Sequence, residues 1–103
     1  MMEDHAPTPT TQDVVRVLET IIDPELGIDL WTLGLIYDID IGDEQINIRM
    51  TFTSIGCPAG AYLVREVRER TLEIPGIRRV EVEVVFDPPW EIPEDLKASL
   101  GLY

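Results

Sequence analysis

The chain has 103 residues, eight Lys and Arg against twenty Asp and Glu for a net charge of −12, and a single cysteine. That length fits one domain, and the acidic balance argues against a nucleic-acid partner, which needs clustered cations. One cysteine excludes an intramolecular disulfide and points to an intracellular protein. No apolar run approaches the ~18 residues that span a bilayer. Met1-Met2-Glu3-Asp4-His5 lacks the basic-then-apolar pattern of a signal. The expected compartment is the cytoplasm, with no membrane partner.

In chain order, residues 1–10 carry prolines, threonines and acids without periodicity and are expected to form a flexible tail. Thr10 or Thr11 then offers an N-cap. Val14, Val15, Leu18, Ile21 and Ile22 follow at helical spacing, predicting a helix over 11–21 that Asp23-Pro24 ends. Residues 23–29 form a loop by their proline and glycine. Asp23, Glu25 and Asp29 there are either solvated acids or the rim of a site.

Two alternating stretches come next. Leu35, Tyr37, Ile39 and Ile41 make one apolar face, and Ile46, Ile48, Met50 and Phe52 another. With Gly42-Asp43-Glu44 between them they read as an antiparallel hairpin. From Pro58 to Glu73 the period becomes helical, with Leu63, Val64, Val67 and Thr71 on one arc, and Pro75-Gly76 ends the helix. Val80 to Phe86 alternates as a third strand, which a helical crossover lets pair in parallel with a hairpin strand. Residues 93–100 suggest a short helix with Leu96 and Leu100 inward. The expected fold is α+β, a two-layer sandwich of order α-β-β-α-β plus a C-terminal helix, with a small mixed three-stranded sheet in one domain over 11–103. Trp31 and Trp90 flank turns and are expected to pack as core or lid. Five basic residues lie between Arg65 and Arg79, forming either a docking patch or ordinary helix charges paired with Glu66 and Glu69.

The chemistry-bearing stretch is Met50-Thr51-Phe52-Thr53-Ser54-Ile55-Gly56-Cys57-Pro58. Pro58 suits the first position of a helix, which makes Cys57 its expected N-cap. The free N–H groups and the helix dipole would favour thiolate there, a nucleophile and soft metal ligand. The alternative is a cysteine that simply fills space. The one histidine, His5, lies in the tail, so a Cys-His catalytic pair is not expected. A phosphatase-type loop needs arginine where Leu63 stands, and no glycine-rich phosphate loop is present. An enzyme is therefore not expected. Iron–sulfur clusters usually take four thiolates and this chain supplies one, so a cluster held here would be transient, with other ligands from a second molecule or from Asp23, Glu25 and Asp29.

Asp23-Pro24-Glu25-Leu26-Gly27-Ile28, Leu33-Gly34-Leu35-Ile36-Tyr37, Met50-Thr51-Phe52-Thr53 with Gly56-Cys57-Pro58, Pro75-Gly76-Ile77 and Pro88-Pro89-Trp90 stand in the order of the metal–sulfur cluster biosynthesis family. The resemblance covers residues 12–103. It is similar to the family's SufT-like, PaaD-like and MIP-type iron–sulfur assembly members. It implies a stand-alone maturation factor whose reactive cysteine is Cys57, with Asp23, Glu25, Thr51, Thr53, Ser54, Gly56 and Pro58 shaping the pocket. It further implies an iron–sulfur cluster or iron bound transiently, none bound tightly, and as partners the assembly machinery and apo-client proteins, with a homodimer as one option.

The sequence departs from the family pattern at Asp29 and Thr32, where an asparagine and an acid are frequent, and at Phe86, where tryptophan is frequent. Neither the cysteine-rich region of PaaD-like members nor the fused ATPase of other relatives occurs within these 103 residues, so the stand-alone form is the expectation. Two alternatives stay open. One is a protein–protein adaptor with a structural cysteine, and the other is an assembly subunit of a multicomponent oxygenase.

Overall fold

The structure, a computed structural model, describes residues 9–54, 56 and 58–100. Helix α1 (Thr11–Leu18) starts on a reciprocal capping box. The Thr10 hydroxyl accepts from the Asp13 N–H at 3.2 Å, and the Asp13 carboxylate accepts from the Thr10 N–H at 2.9 Å. Thr10 is thus the cap, while the expected tail over 1–8 lies outside the described residues. The helix stops at Leu18, earlier than periodicity suggests. The Thr20 hydroxyl donates to the Val17 carbonyl at 2.6 Å, and Ile22 must be extended to pair with Asp29.

That pairing corrects the loop expected over 23–29. Strands β1 (Ile22–Asp23) and β2 (Ile28–Asp29) form a small antiparallel ladder. Gly27 closes the turn at φ +70°, a backbone region that only glycine enters cheaply, and its N–H donates to the Asp23 carbonyl at 2.7 Å.

The main sheet holds the three expected strands, β3 (Ile36–Ile41), β4 (Gln45–Met50) and β5 (Arg79–Val84), and the structure sets their order as β3-β4-β5. The hairpin β3–β4 is antiparallel and β4–β5 is parallel. A bulge shifts the β3–β4 register between Ile36 and Asp38. It overturns the expectation that Tyr37 joins the apolar face. Ile36, Ile39 and Ile41 stand opposite Met50, Ile48 and Ile46 and pack on the core, whereas the Tyr37 hydroxyl donates to the Pro88 carbonyl at 2.8 Å.

Helix α2 (Gly60–Leu72) is the crossover between β4 and β5, and α3 (Glu94–Leu100) closes the chain. Helices α1 and α2 pack on one another and over the sheet. Val14 and Leu18 from α1 and Leu63 and Val67 from α2 meet Ile46, Ile48, Met50 and Val80 in one buried core. Leu30, Leu33 and Leu35, from the segment between β2 and β3, complete it. The other sheet face carries Asp38, Asp40, Asn47, Arg49, Glu81 and Glu83 around an open hollow.

Leu96 is half-buried against the core as expected, while the side chain of Leu100 lies outside the described residues. Trp90 is a lid whose indole N–H donates to the Leu33 carbonyl at 2.7 Å. Trp31, by contrast, is 39% exposed and is not core.

Candidate functional site

The parallel strands β4 and β5 end beside the start of α2, and the stretch from Met50 to Pro58 makes that passage. Thr51 continues from β4 at 1% exposure, its N–H donating to the Leu35 carbonyl at 2.9 Å. Thr53 is half-buried, and its hydroxyl donates to Glu25 Oε1 at 3.2 Å. This bond spans 28 residues of sequence and brings the Asp-Pro-Glu turn onto the approach to the cysteine motif.

Asp23 holds that turn. Its side chain is fully buried, and Oδ1 accepts from the Glu25 N–H at 2.7 Å and the Leu26 N–H at 3.2 Å. An aspartate that caps its own turn two residues on is the usual Asx arrangement, and an Asp-Pro start is a signal for it. Oδ2 is equally buried and has no hydrogen-bond partner among the described residues. A buried acceptor without a donor costs roughly 1–3 kcal/mol, so this oxygen is either a burden on stability or an acceptor kept for another group. Spacing alone gave no hint that Asp23 is buried rather than solvated.

The other expected residues are placed differently. Ser54, Gly56 and Pro58 are exposed on the turn that follows. Asp29 is not part of the constellation, because its Oδ2 accepts from the Thr32 N–H at 2.9 Å. Cys57 itself lies outside the described residues. Its expected role as N-cap is overturned by the helix, which begins at Gly60 with Ala59 as the cap residue and no side-chain capping bond. Pro58 sits in the preceding turn, because the chain must leave β4 and turn before α2 can pack back over the sheet.

A contact that sequence reasoning missed lies at that helix start. A Cβ on Gly60 would stand 2.7 Å from Phe52 Cε2 and 2.9 Å from Cζ, so glycine is what lets the ring lie against the helix. Phe52 meets Phe86 edge-on, with centroids 6.0 Å apart. A glycine two residues after a Cys-Pro was the available signal.

The donor chemistry bounds what the site can hold. No group of three or more His, Cys, Asp or Glu among the described residues could bind a metal ion. Cys57 is the one thiol in the chain and so the one soft thiolate donor it could offer an iron or cluster cargo.

A small mixed-sheet α+β domain with one cysteine on the passage from a central strand to its crossover helix defines the class. The chain belongs to the iron–sulfur cluster assembly protein family, whose model matches residues 11–84. It is 40% identical over 95 residues to the Fe-S protein maturation auxiliary factor YitW of Bacillus subtilis, covering 88% of this chain and 93% of that protein. It is 46% identical over 71 residues to the Fe-S protein maturation auxiliary factor SufT of Staphylococcus aureus, covering 68% and 81%. The fold matches the solved structure of a conserved hypothetical protein from Thermotoga maritima at a TM-score of 0.81 and 37% identity, over 93% of this chain and 98% of that one.

Proposed function

We propose that the protein is a non-enzymatic iron–sulfur maturation factor that works through Cys57, holding a cluster or iron transiently or engaging apo-client proteins. The observation that carries this reading is the bond from Thr53 to Glu25, which joins the Asp-Pro-Glu turn to the stretch of sequence that leads into the cysteine motif. The buried, unpartnered Oδ2 of Asp23 in the same turn supports it. Family membership and the names of the relatives support the maturation role. Thr51, Ser54, Gly56 and Pro58 shape the approach as the strand turns into the helix. The single domain runs from residue 11 to 103. The partners are the assembly machinery and its clients in the cytoplasm, and no helix of the described residues is long and apolar enough to cross a membrane.

Cys57→Ser tests this in cells. The variant should fold with an unchanged melting profile while the activity of iron–sulfur enzymes falls. Normal client activity with the serine protein would remove the thiol from the mechanism. The second reading is an adaptor that bridges carrier and client without holding cargo. Anaerobic reconstitution separates the two, because only a carrier takes up iron and sulfide in proportion to Cys57.

A further inference from the structure

Three exposed features stand outside this site. The open sheet face is acidic and offers no more than solvated charge, and the exposed Trp31 borders a shallow hollow with Thr11 and Ile36 whose lining selects no particular occupant. The third has both shape and charge. A groove of about 550 Å³ runs between the Phe52 ring and the first turns of α2, with Gly60, Ala61 and Val64 along its floor and Arg65, Arg68 and Glu69 on its rim.

Its floor is apolar because Gly60 lets the half-buried Phe52 ring come against the helix. Phe86, 41% exposed, extends that aromatic surface. The rim is the unusual part. Among the described residues the chain's arginines mostly have carboxylate partners: Arg16 with Asp13, Arg49 with Glu83, Arg70 with Glu66 and Arg78 with Glu44. Arg65, Arg68 and Arg79 have none there; Arg79 stands alone at the start of β5, whereas Arg65 and Arg68 share this rim, and Arg65 lies 6.0 Å over the Tyr62 ring. Two guanidiniums against the single carboxylate of Glu69 leave this rim positive on a protein of net charge −12.

We infer that this groove docks an acidic polypeptide segment of a partner, which inserts an apolar side chain against Phe52 while its flanking carboxylates meet Arg65 and Arg68. Charge complementarity selects that occupant. A basic segment would be repelled at this rim and drawn to the rest of the surface, whereas a short acidic segment meets the two guanidiniums while bringing far less total charge than a second copy at −12. The inference deepens the client-engaging part of the proposed function and rests on it. The groove begins at Gly60, three residues beyond Cys57 in the chain.

The test is fluorescence anisotropy with the full chain at low ionic strength, using the labelled, end-blocked pentapeptide Asp-Glu-Phe-Asp-Glu as probe. It should bind at least about tenfold more tightly than Asp-Glu-Ser-Asp-Glu, which lacks the apolar anchor, or Asn-Gln-Phe-Asn-Gln, which lacks the charges. Reversing both rim charges, Arg65→Glu with Arg68→Glu, should weaken it at least about tenfold. The same charge change at the far end of the sheet, Arg78→Glu with Arg79→Glu, should weaken it less than about twofold. Cys57→Ser is titrated alongside. Retained peptide binding in that variant supports the groove whether or not client activity falls, which keeps the thiol reading separate. Equal binding of the three peptides, or equal weakening by the two arginine pairs, would overturn the inference. So would a concentration-dependent dimer that the Arg65→Glu, Arg68→Glu protein no longer forms.

Discussion

The most informative single perturbation is at Asp23, where two substitutions divide structure from function. Asp23→Ala removes the oxygen that accepts from the Glu25 and Leu26 N–H groups at 2.7 and 3.2 Å. Each orphaned, partly buried donor costs roughly 1–3 kcal/mol. The Asp23 carbonyl still accepts from Gly27, so the turn is weakened rather than abolished. The net loss should be about 2–4 kcal/mol, which for a domain of this size lowers Tm by roughly 10–25 °C.

Asp23→Asn keeps an oxygen where Oδ1 stands and puts an amide where Oδ2 stands. Oδ2 has no donor among the described residues, so nothing there is lost, and an unpaired NH₂ replaces an unpaired oxygen. Its stability should stay within about 1 kcal/mol of the parent. Urea unfolding of the three proteins measures both values. If the asparagine protein is as unstable as the alanine one, or the alanine protein is unchanged, the turn does not depend on Oδ1 and the reasoning is wrong. In cells the asparagine protein should still fail to support iron–sulfur enzymes if Oδ2 is the acceptor kept for cargo or client, and full activity would assign Asp23 to the turn alone.

Two further substitutions test the packing around the site. Gly60→Ala places a Cβ within 3 Å of the Phe52 ring and should destabilise by about 1–3 kcal/mol. In a Phe52→Ala background the same change should be neutral or gain up to about 1 kcal/mol from helix propensity, so a double-mutant cycle without coupling would refute the contact. Trp90→Phe keeps most of the lid but deletes the N–H that meets the Leu33 carbonyl at 2.7 Å. It should cost about 1–2 kcal/mol by denaturant unfolding, clearly less than Trp90→Ala at about 3–5 kcal/mol.

Where local pattern carries the information, the sequence was enough. The helical spacing of Val14, Leu18, Leu63 and Val67 and the alternation of Ile46, Ile48 and Met50 name most of the buried core. The change of period after Pro58 announces a crossover helix, and a crossover permits the parallel β4–β5 pair. The motif order also points to the family, which the match over residues 11–84 shows.

What sequence left undecided depends on contacts between distant residues. Periodicity cannot see a bulge, so Tyr37 and Ile36 exchange faces only when β3 is laid against β4. Two-residue strands such as β1 and β2 have too few residues to show alternation, and their ladder exists because the turn at Asp23 folds them together. Proline at a helix's first position is a preference, and the need to turn out of β4 overrides it, so α2 begins at Gly60.

By itself, then, the sequence determined the element types, the central apolar faces and the stretch that carries the thiol, because these follow from side-chain period and residue chemistry. Only the tertiary structure decided that Asp23 is buried with one oxygen lacking a partner among the described residues, that Glu25 meets Thr53, and that Phe52 lies against Gly60 in a groove it shares with Arg65 and Arg68. Burial and long-range hydrogen bonds belong to pairs of residues that no local pattern joins, and the candidate site is built from such pairs.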